Sequence, residues 1–135
     1  MSLARIAVCF LCLFAAGASA VMAGDQDYKE LYRRGIEHNK KGELDTAIAF
    51  YCKAIVLKPD SAGLFFVRGR AYLEKQQFDS AIGDLSKAIA LKPGYAEAYN
   101  VRGVSYAGKG QKQLATADFK RACDMGLSDA CKNLK

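Results

Sequence analysis

Apolar and small side chains along this chain follow two patterns. Near the start, Ile6 to Ala16 form one unbroken apolar run, preceded by a lone basic residue, Arg5. Beyond it the pattern becomes mixed and repeats every 34 residues: Gly35, Gly69 and Gly103 keep that interval, as do Ala47, Ala81 and Ala115, and again Ala54, Ala88 and Ala122. Pro59 and Pro93 keep it too. With one copy fixed, six further Gly or Ala matches by chance have a probability on the order of 10⁻⁷ at ordinary residue usage. The repeat is genuine. Loop signals (Lys41-Gly42, Lys58-Pro59-Asp60-Ser61, Pro93-Gly94, Lys109-Gly110) cut each copy into two segments. They predict helices near 26–40, 44–57, 62–75, 78–91, 96–108 and 112–125, with a short seventh near 128–134.

Side-chain size at a helix crossing sets how near two helices come. The periodic Gly and Ala positions are therefore read as close approaches. Leu31, Phe65 and Tyr99, with Tyr51, Leu85 and Phe119, fill the space beside them. Each Pro breaks one copy from the next, because its ring clashes with a continuing helix. Asp45, Asp60 and Asp79 fall close to predicted helix starts, where a carboxylate is favoured.

The in-phase residues resemble the tetratricopeptide repeat: Leu31, Arg34-Gly35, His38, Ala47, Tyr51, Ala54 and Pro59, then Phe65, Arg68-Gly69, Tyr72, Ala81, Leu85, Ala88 and Pro93, then Tyr99, Arg102-Gly103, Tyr106, Ala115, Phe119 and Ala122. Three features depart from that pattern. Arg stands where Leu is usual, His38 replaces an aromatic, and Leu127 occupies the place of a third Pro. The resemblance implies an all-α, right-handed α-solenoid of three helix-turn-helix repeats with a short C-terminal cap, which such stacks need to cover a bare apolar end. The chain divides into a signal segment 1–20, an extension 21–27, repeats 28–61, 62–95 and 96–127, and a cap 128–135.

The apolar run reads as a secretion signal. Ala18 and Ala20 form an Ala-x-Ala cleavage site, Val21-Met22-Ala23 a second, and the run is shorter than the roughly 20 residues a membrane span takes. An uncleaved anchor is the competing reading. Cys9 and Cys12 lie inside the run and not after the small residue that a lipid-anchor signal requires. The expected location is exported, periplasmic or secreted, with no stable membrane span after processing.

Composition excludes several classes. Hydrophobic residues make up 51% and charged residues 25%, which suits a folded body rather than disorder. The net charge of +6, one less without Arg5, is spread along the chain apart from Arg33-Arg34 and Lys40-Lys41. Nucleic-acid binders usually carry a clustered basic stripe, so no nucleic-acid partner is expected. His38 is the lone histidine, and its slot favours packing or hydrogen bonding; a Cys52–His38 dyad has nothing to orient it. Nucleotide, nucleophile-elbow and metal-helix motifs do not occur, so neither an enzyme nor a cofactor is expected. Zinc is disfavoured, since Cys123, Cys131 and a distant His38 cannot make a four-ligand site.

Processing leaves Cys52, Cys123 and Cys131, and an oxidising compartment favours pairing. In one continuous helix Cys123 and Cys131 would stand about 12 Å apart, beyond bridging distance. A turn at Gly126 lets them meet, while two separate buried thiols remain the alternative. The stretch Ala122-Cys123-Asp124-Met125-Gly126 with Cys131 also resembles the cysteine-rich Sel-type repeats of secreted bacterial proteins, which implies the bridged form.

Arg68 and Asp84 are 16 apart, as are Arg102 and Asp118, which sets each pair on facing helices. Hydrogen bonding across the pair or to the next repeat is one expectation, and simple snorkelling of the arginine is the other. Arg34 faces Phe50 in the Asp slot and must find a different partner or solvent. The family resemblance implies a concave groove lined by the first helix of each repeat. Helical projection puts Tyr32, Ile36 and Asn39, then Phe66, Arg70 and Leu73, then Asn100, Val104 and Ala107 on that wall, with Arg33 at the rim and exposed Tyr32 and Phe66 as anchors. Cochaperone members hold an acidic tail through Lys, Asn, Asn, Lys and Arg; those slots here hold Tyr32, Ile36, Val67, Glu97 and Val101, so that ligand is not expected. The expected partner is a protein or peptide segment. Self-association into a homo-oligomer, or thiol chemistry at Cys52, are the alternatives.

Overall fold

The computed structural model describes residues 19–135, with side chains from Gln26 onward. The apolar run, Arg5, Cys9, Cys12 and Ala18 lie outside the described residues. Seven helices follow one another among the described residues: α1 (Ser19–Lys40), α2 (Leu44–Leu57), α3 (Ala62–Glu74), α4 (Phe78–Leu91), α5 (Ala96–Gly108), α6 (Lys112–Asp124) and α7 (Ser128–Lys132). They pack as pairs, α1 on α2, α3 on α4 and α5 on α6, and each pair leans on the next through α2–α3 and α4–α5. The short α7 folds back on α6.

Helix ends match the sequence-based spacing closely except at the start. α1 begins at Ser19 rather than near 26, so residues 21–27 are helical. The stretch Ala20-Val21-Met22-Ala23 contains no proline, and a lone Gly24 weakens a helix by only about 1 kcal/mol. Both candidate cleavage alanines with described backbone, Ala20 and Ala23, therefore stand in the helix.

The glycine and alanine periodicity becomes the packing. Ala47, Ala54, Ala81, Ala88 and Ala122 are fully buried and Ala115 nearly so. A Cβ on Gly35 would meet the Tyr51 ring at 2.3 Å; on Gly103 it would meet the Phe119 ring at 2.7 Å and the Ala115 carbonyl at 3.2 Å; on Gly69, Leu85 Cγ at 2.9 Å. Each helix pair crosses at a glycine because nothing larger fits under the facing large residue.

Turn chemistry repeats as well. Gly42 N–H donates to Asn39 O and Glu43 N–H to His38 O; Gln76 and Gln77, then Gly110 and Gln111, make the equivalent bonds one and two repeats on. This is the paired closure that uses one left-handed residue to satisfy the last carbonyls of a helix. Gly42 and Gly110 adopt φ of +77° and +79°, but the middle repeat places Gln76 there at +59°. A side chain in that region costs about 1 kcal/mol or more. Gln76→Gly is therefore expected to raise stability by about 0.5–1 kcal/mol, net of glycine's extra freedom when unfolded. Urea unfolding of the two proteins would show it, and an unchanged midpoint would contradict it. At helix starts, Ser61 caps α3 by accepting from Leu64 N–H, whereas Asp45 and Asp79 are the second residues of α2 and α4, in the first turn, and also serve a different contact.

At the far end, Gly126 (φ +97°) turns the chain so that α7 returns, and Ala130 is fully buried beside Tyr99 and Ala122. Cys123 and Cys131 are joined as a disulfide, with Cα atoms 4.8 Å apart, and Cys52 is a free thiol. Closing so short a loop is worth about 2–3 kcal/mol by chain entropy. Cys131→Ser should lose that amount, and reductant should lower the melting temperature of the parent protein while leaving the variant's unchanged.

Candidate functional site

Two sets of charged contacts fix how each repeat sits on the one before it. Arg68 donates from Nε and Nη2 to the two Asp84 carboxylate oxygens, both at 2.7 Å, while its Nη1 reaches Cys52 Sγ of the preceding repeat at 3.2 Å. Arg102 repeats the arrangement with Asp118 at 2.7 and 2.8 Å and with Ser86 Oγ at 3.1 Å. The paired carboxylate raises the pKa of each guanidinium above its ordinary value, against the opposing effect of burial. Each arginine also lies between two rings of its own helix, Phe65 and Tyr72 or Tyr99 and Tyr106. The structure thus favours hydrogen bonding over snorkelling, and it extends the bond to a third residue that spacing alone did not single out. Arg34 instead pairs with Glu30 on its own helix, and Phe50 stacks on His38 with centroids 5.3 Å apart. His38 Nδ1 pairs with Glu43. His38 and Cys52 have different partners and do not form a dyad.

The second set is a pair of lysine bridges. Lys75, which ends α3, pairs with Asp45 of the preceding repeat, and Lys109, which ends α5, pairs with Asp79. All four residues obey the 34-residue interval. Because the carboxylates are mostly exposed, these bridges set geometry more than stability.

Between α1 and α3 the first helices leave a cleft of about 180 Å³, lined by Ile36, Asn39, Lys40, Val67, Arg70 and Glu74, with Tyr51 of α2 at its floor. Three of the predicted groove residues, Ile36, Asn39 and Arg70, meet here. Tyr32 and Val104 are exposed at 38% and 39%. Phe66 is a correction: rather than an exposed anchor, it is half-buried against Tyr95, ring centroids 4.9 Å apart, where it packs on the second repeat's core. Leu73 belongs to that same core. Asn100 accepts a hydrogen bond from Asn133 at 3.1 Å, so the C-terminal cap reaches the groove wall. Lys40, Tyr51, Val67 and Glu74 were not projected onto the groove. Val67 had a signal in its cochaperone slot; the others had none. Among the described residues, no three metal-capable side chains cluster, and no helix is long and apolar enough to cross a membrane.

Residues 31–61 and 96–125 match the tetratricopeptide-repeat family model, and 69–110 match a second model of the same repeat. The chain is a tetratricopeptide-repeat protein. Its paired helices form the right-handed α-solenoid of that family. Among solved structures, this repeat protein is similar to the first such domain of Spaghetti (RPAP3) bound to the HSP90 peptide SRMEEVD, at 28% identity and a TM-score of 0.78, covering 81% of this chain and 88% of that one. The Arabidopsis OM64 domain aligns at 26% identity and a TM-score of 0.77, covering 82% and 96%. The second domain of human RPAP3, in complex with the HSP70 peptide SGPTIEEVD, aligns at 28% and 0.75, covering 84% and 94%. A comparison with curated protein sequences yields no match. In this repeat protein the acidic-tail slots carry Tyr32, Ile36, Val67, Glu97 and Val101, of which Ile36 and Val67 line the cleft and Val101 packs on the second repeat's core.

Proposed function

We propose that this protein is an exported interaction module that holds a peptide or protein segment in its concave groove, as a scaffold or adaptor of a bacterial envelope or secretion system. The observation that carries the reading is the open cleft between α1 and α3, whose Arg70 and Asn39 stand beside apolar Ile36 and Val67. Peptide capture uses that mixture: apolar area for affinity, a few donors for register. Similar repeat domains bind peptides, as their complexes with HSP90 and HSP70 peptides state. Export is supported by the apolar run, the Ala-x-Ala sites and a disulfide, which persists in oxidising compartments.

Two measurements test this. The full-length gene, expressed in a bacterium with a C-terminal tag, should give an envelope or periplasmic product shortened by about 20 residues in intact-mass analysis; a full-length cytoplasmic product would refute export. Crosslinking in the intact envelope should then yield adducts that Tyr32→Ala/Arg70→Ala abolishes without altering the melting temperature. Adducts that persist in the variant would remove the groove from the reading.

A further inference from the structure

The α1–α3 cleft holds polar side chains that make no hydrogen bond or ion pair among the described residues, the Arg70 guanidinium lying only over the Phe66 ring at 5.8 Å. Tyr51 is 1% exposed, yet its hydroxyl makes no hydrogen bond among the described residues, and the residue forms the cleft floor. No fully buried side-chain N or O lacks a partner among the described residues, so this hydroxyl is the edge of Tyr51 that meets the cleft, where a ligand atom can replace water as its partner. Burial pushes the Tyr51 pKa up to about 12, which keeps the hydroxyl a neutral donor. Arg70 and Lys40 make no ion pair among the described residues, and neither does Glu74, one turn beyond Arg70. The other arginines in α1, α3 and α5 are all engaged with carboxylates.

We infer that this cleft is a subsite for the side-chain carboxylate of an acidic residue inside the bound peptide, with aliphatic neighbours on either side of it. The inference rests on the groove reading above. Two cations and two neutral donors, Arg70, Lys40, Asn39 and Tyr51, face one carboxylate, Glu74, so the cleft has one positive charge in excess. A volume of about 180 Å³ admits one side chain and not a folded segment; an apolar cavity of about 150 Å³ just takes benzene. Ile36 and Val67 line the route for an aliphatic stem. The carboxylate is taken as internal rather than terminal because exposed apolar side chains lie beyond the cleft, Tyr32 one turn before Ile36 on α1 and Val104 on α5, and Glu97 at the start of α5 disfavours a free acidic end there.

The test uses short fluorescein-labelled peptides, blocked at both ends, with leucines flanking a central glutamate or glutamine, and a glutamine peptide with a free C-terminus. Anisotropy titration of the full chain should favour the blocked glutamate peptide over its glutamine twin by about tenfold, the scale of one hydrogen bond to a charged group. Arg70→Ala should reduce that preference to below about twofold while the glutamine peptide binds as before. Tyr51→Phe, which keeps the ring, should cut the preference partially. Equal binding of the blocked peptides, or a preference that survives Arg70→Ala, overturns the inference and leaves the groove reading standing. Tightest binding by the free C-terminus also overturns it, since the terminal carboxylate is then the ligand. Binding of none of the peptides defeats both.

Discussion

Gly35→Ala is expected to destabilise the protein by about 2–3 kcal/mol, although alanine is the better helix former by about 1 kcal/mol. The reason is a single collision. The new methyl would sit 2.3 Å from a Tyr51 ring carbon, and that residue is only 1% exposed. Gly103→Ala should cost a similar amount, because both the Phe119 ring and a backbone carbonyl stand in the way. Gly69→Ala should also destabilise, since Leu85 Cγ stands at 2.9 Å on a fully buried side chain and Asp84 Cβ at 3.3 Å. Gly83 supplies the control: it lies within α4 with nothing within 4 Å, so Gly83→Ala should stabilise by about 0.5–1 kcal/mol. Denaturant unfolding of the four variants tests the ordering, and a neutral Gly35→Ala would mean that the crossing is looser than described. Because Tyr51 floors the cleft, Gly35→Ala should also weaken peptide binding where Gly103→Ala does not.

The second large effect concerns Arg68. Asp84→Ala strands a guanidinium whose side chain is 19% exposed, and the expected loss is about 2–3 kcal/mol, below that of a fully enclosed pair. Removing both partners, as Arg68→Met/Asp84→Leu, should cost less than Asp84→Ala alone, because neither charge is then left without a mate. A double-mutant cycle measures the coupling, expected at about 1 kcal/mol or more. Zero coupling would return the arginine to the role of a snorkelling side chain.

Most of the architecture was legible in the sequence because close packing admits so few residues at a crossing. Gly35, Gly69 and Gly103 had to be small, and their spacing alone located three helix pairs. The groove was less legible. Phe66 is expected to be exposed because helical periodicity shows that a face is apolar but not what packs on it; Tyr95, arriving from the next turn, leaves it half-buried. Tyr51 was read as filler beside Gly35, which it is, yet its ring is long enough to bring a hydroxyl to the cleft on the far side. The start of α1 was misplaced because nothing between Ser19 and Gln26 marks a boundary strongly enough to be seen locally. The contacts of Arg68 with Cys52 and of Asn133 with Asn100 join residues whose proximity follows from stacking, not from local pattern.

The bridges between repeats constrain how such a chain can change length. Every one of them links a residue to a partner 16 or 30 positions earlier, and residues 62–95 carry both halves: Arg68 and Lys75 point backward, while Asp79 and Ser86 receive from the following unit. A duplicated copy of that segment, spliced in after itself, would find complementary groups on both flanks and lengthen the solenoid by one pair. The C-terminal end lacks that property, since Gln113 and Lys120 occupy the receiving positions of the third unit, whereas Arg34 and Lys41 keep the backward-pointing residue types in the first. Duplication in the middle of the array therefore keeps these bridges, whereas a head-to-tail joint at the C-terminal end would not form them.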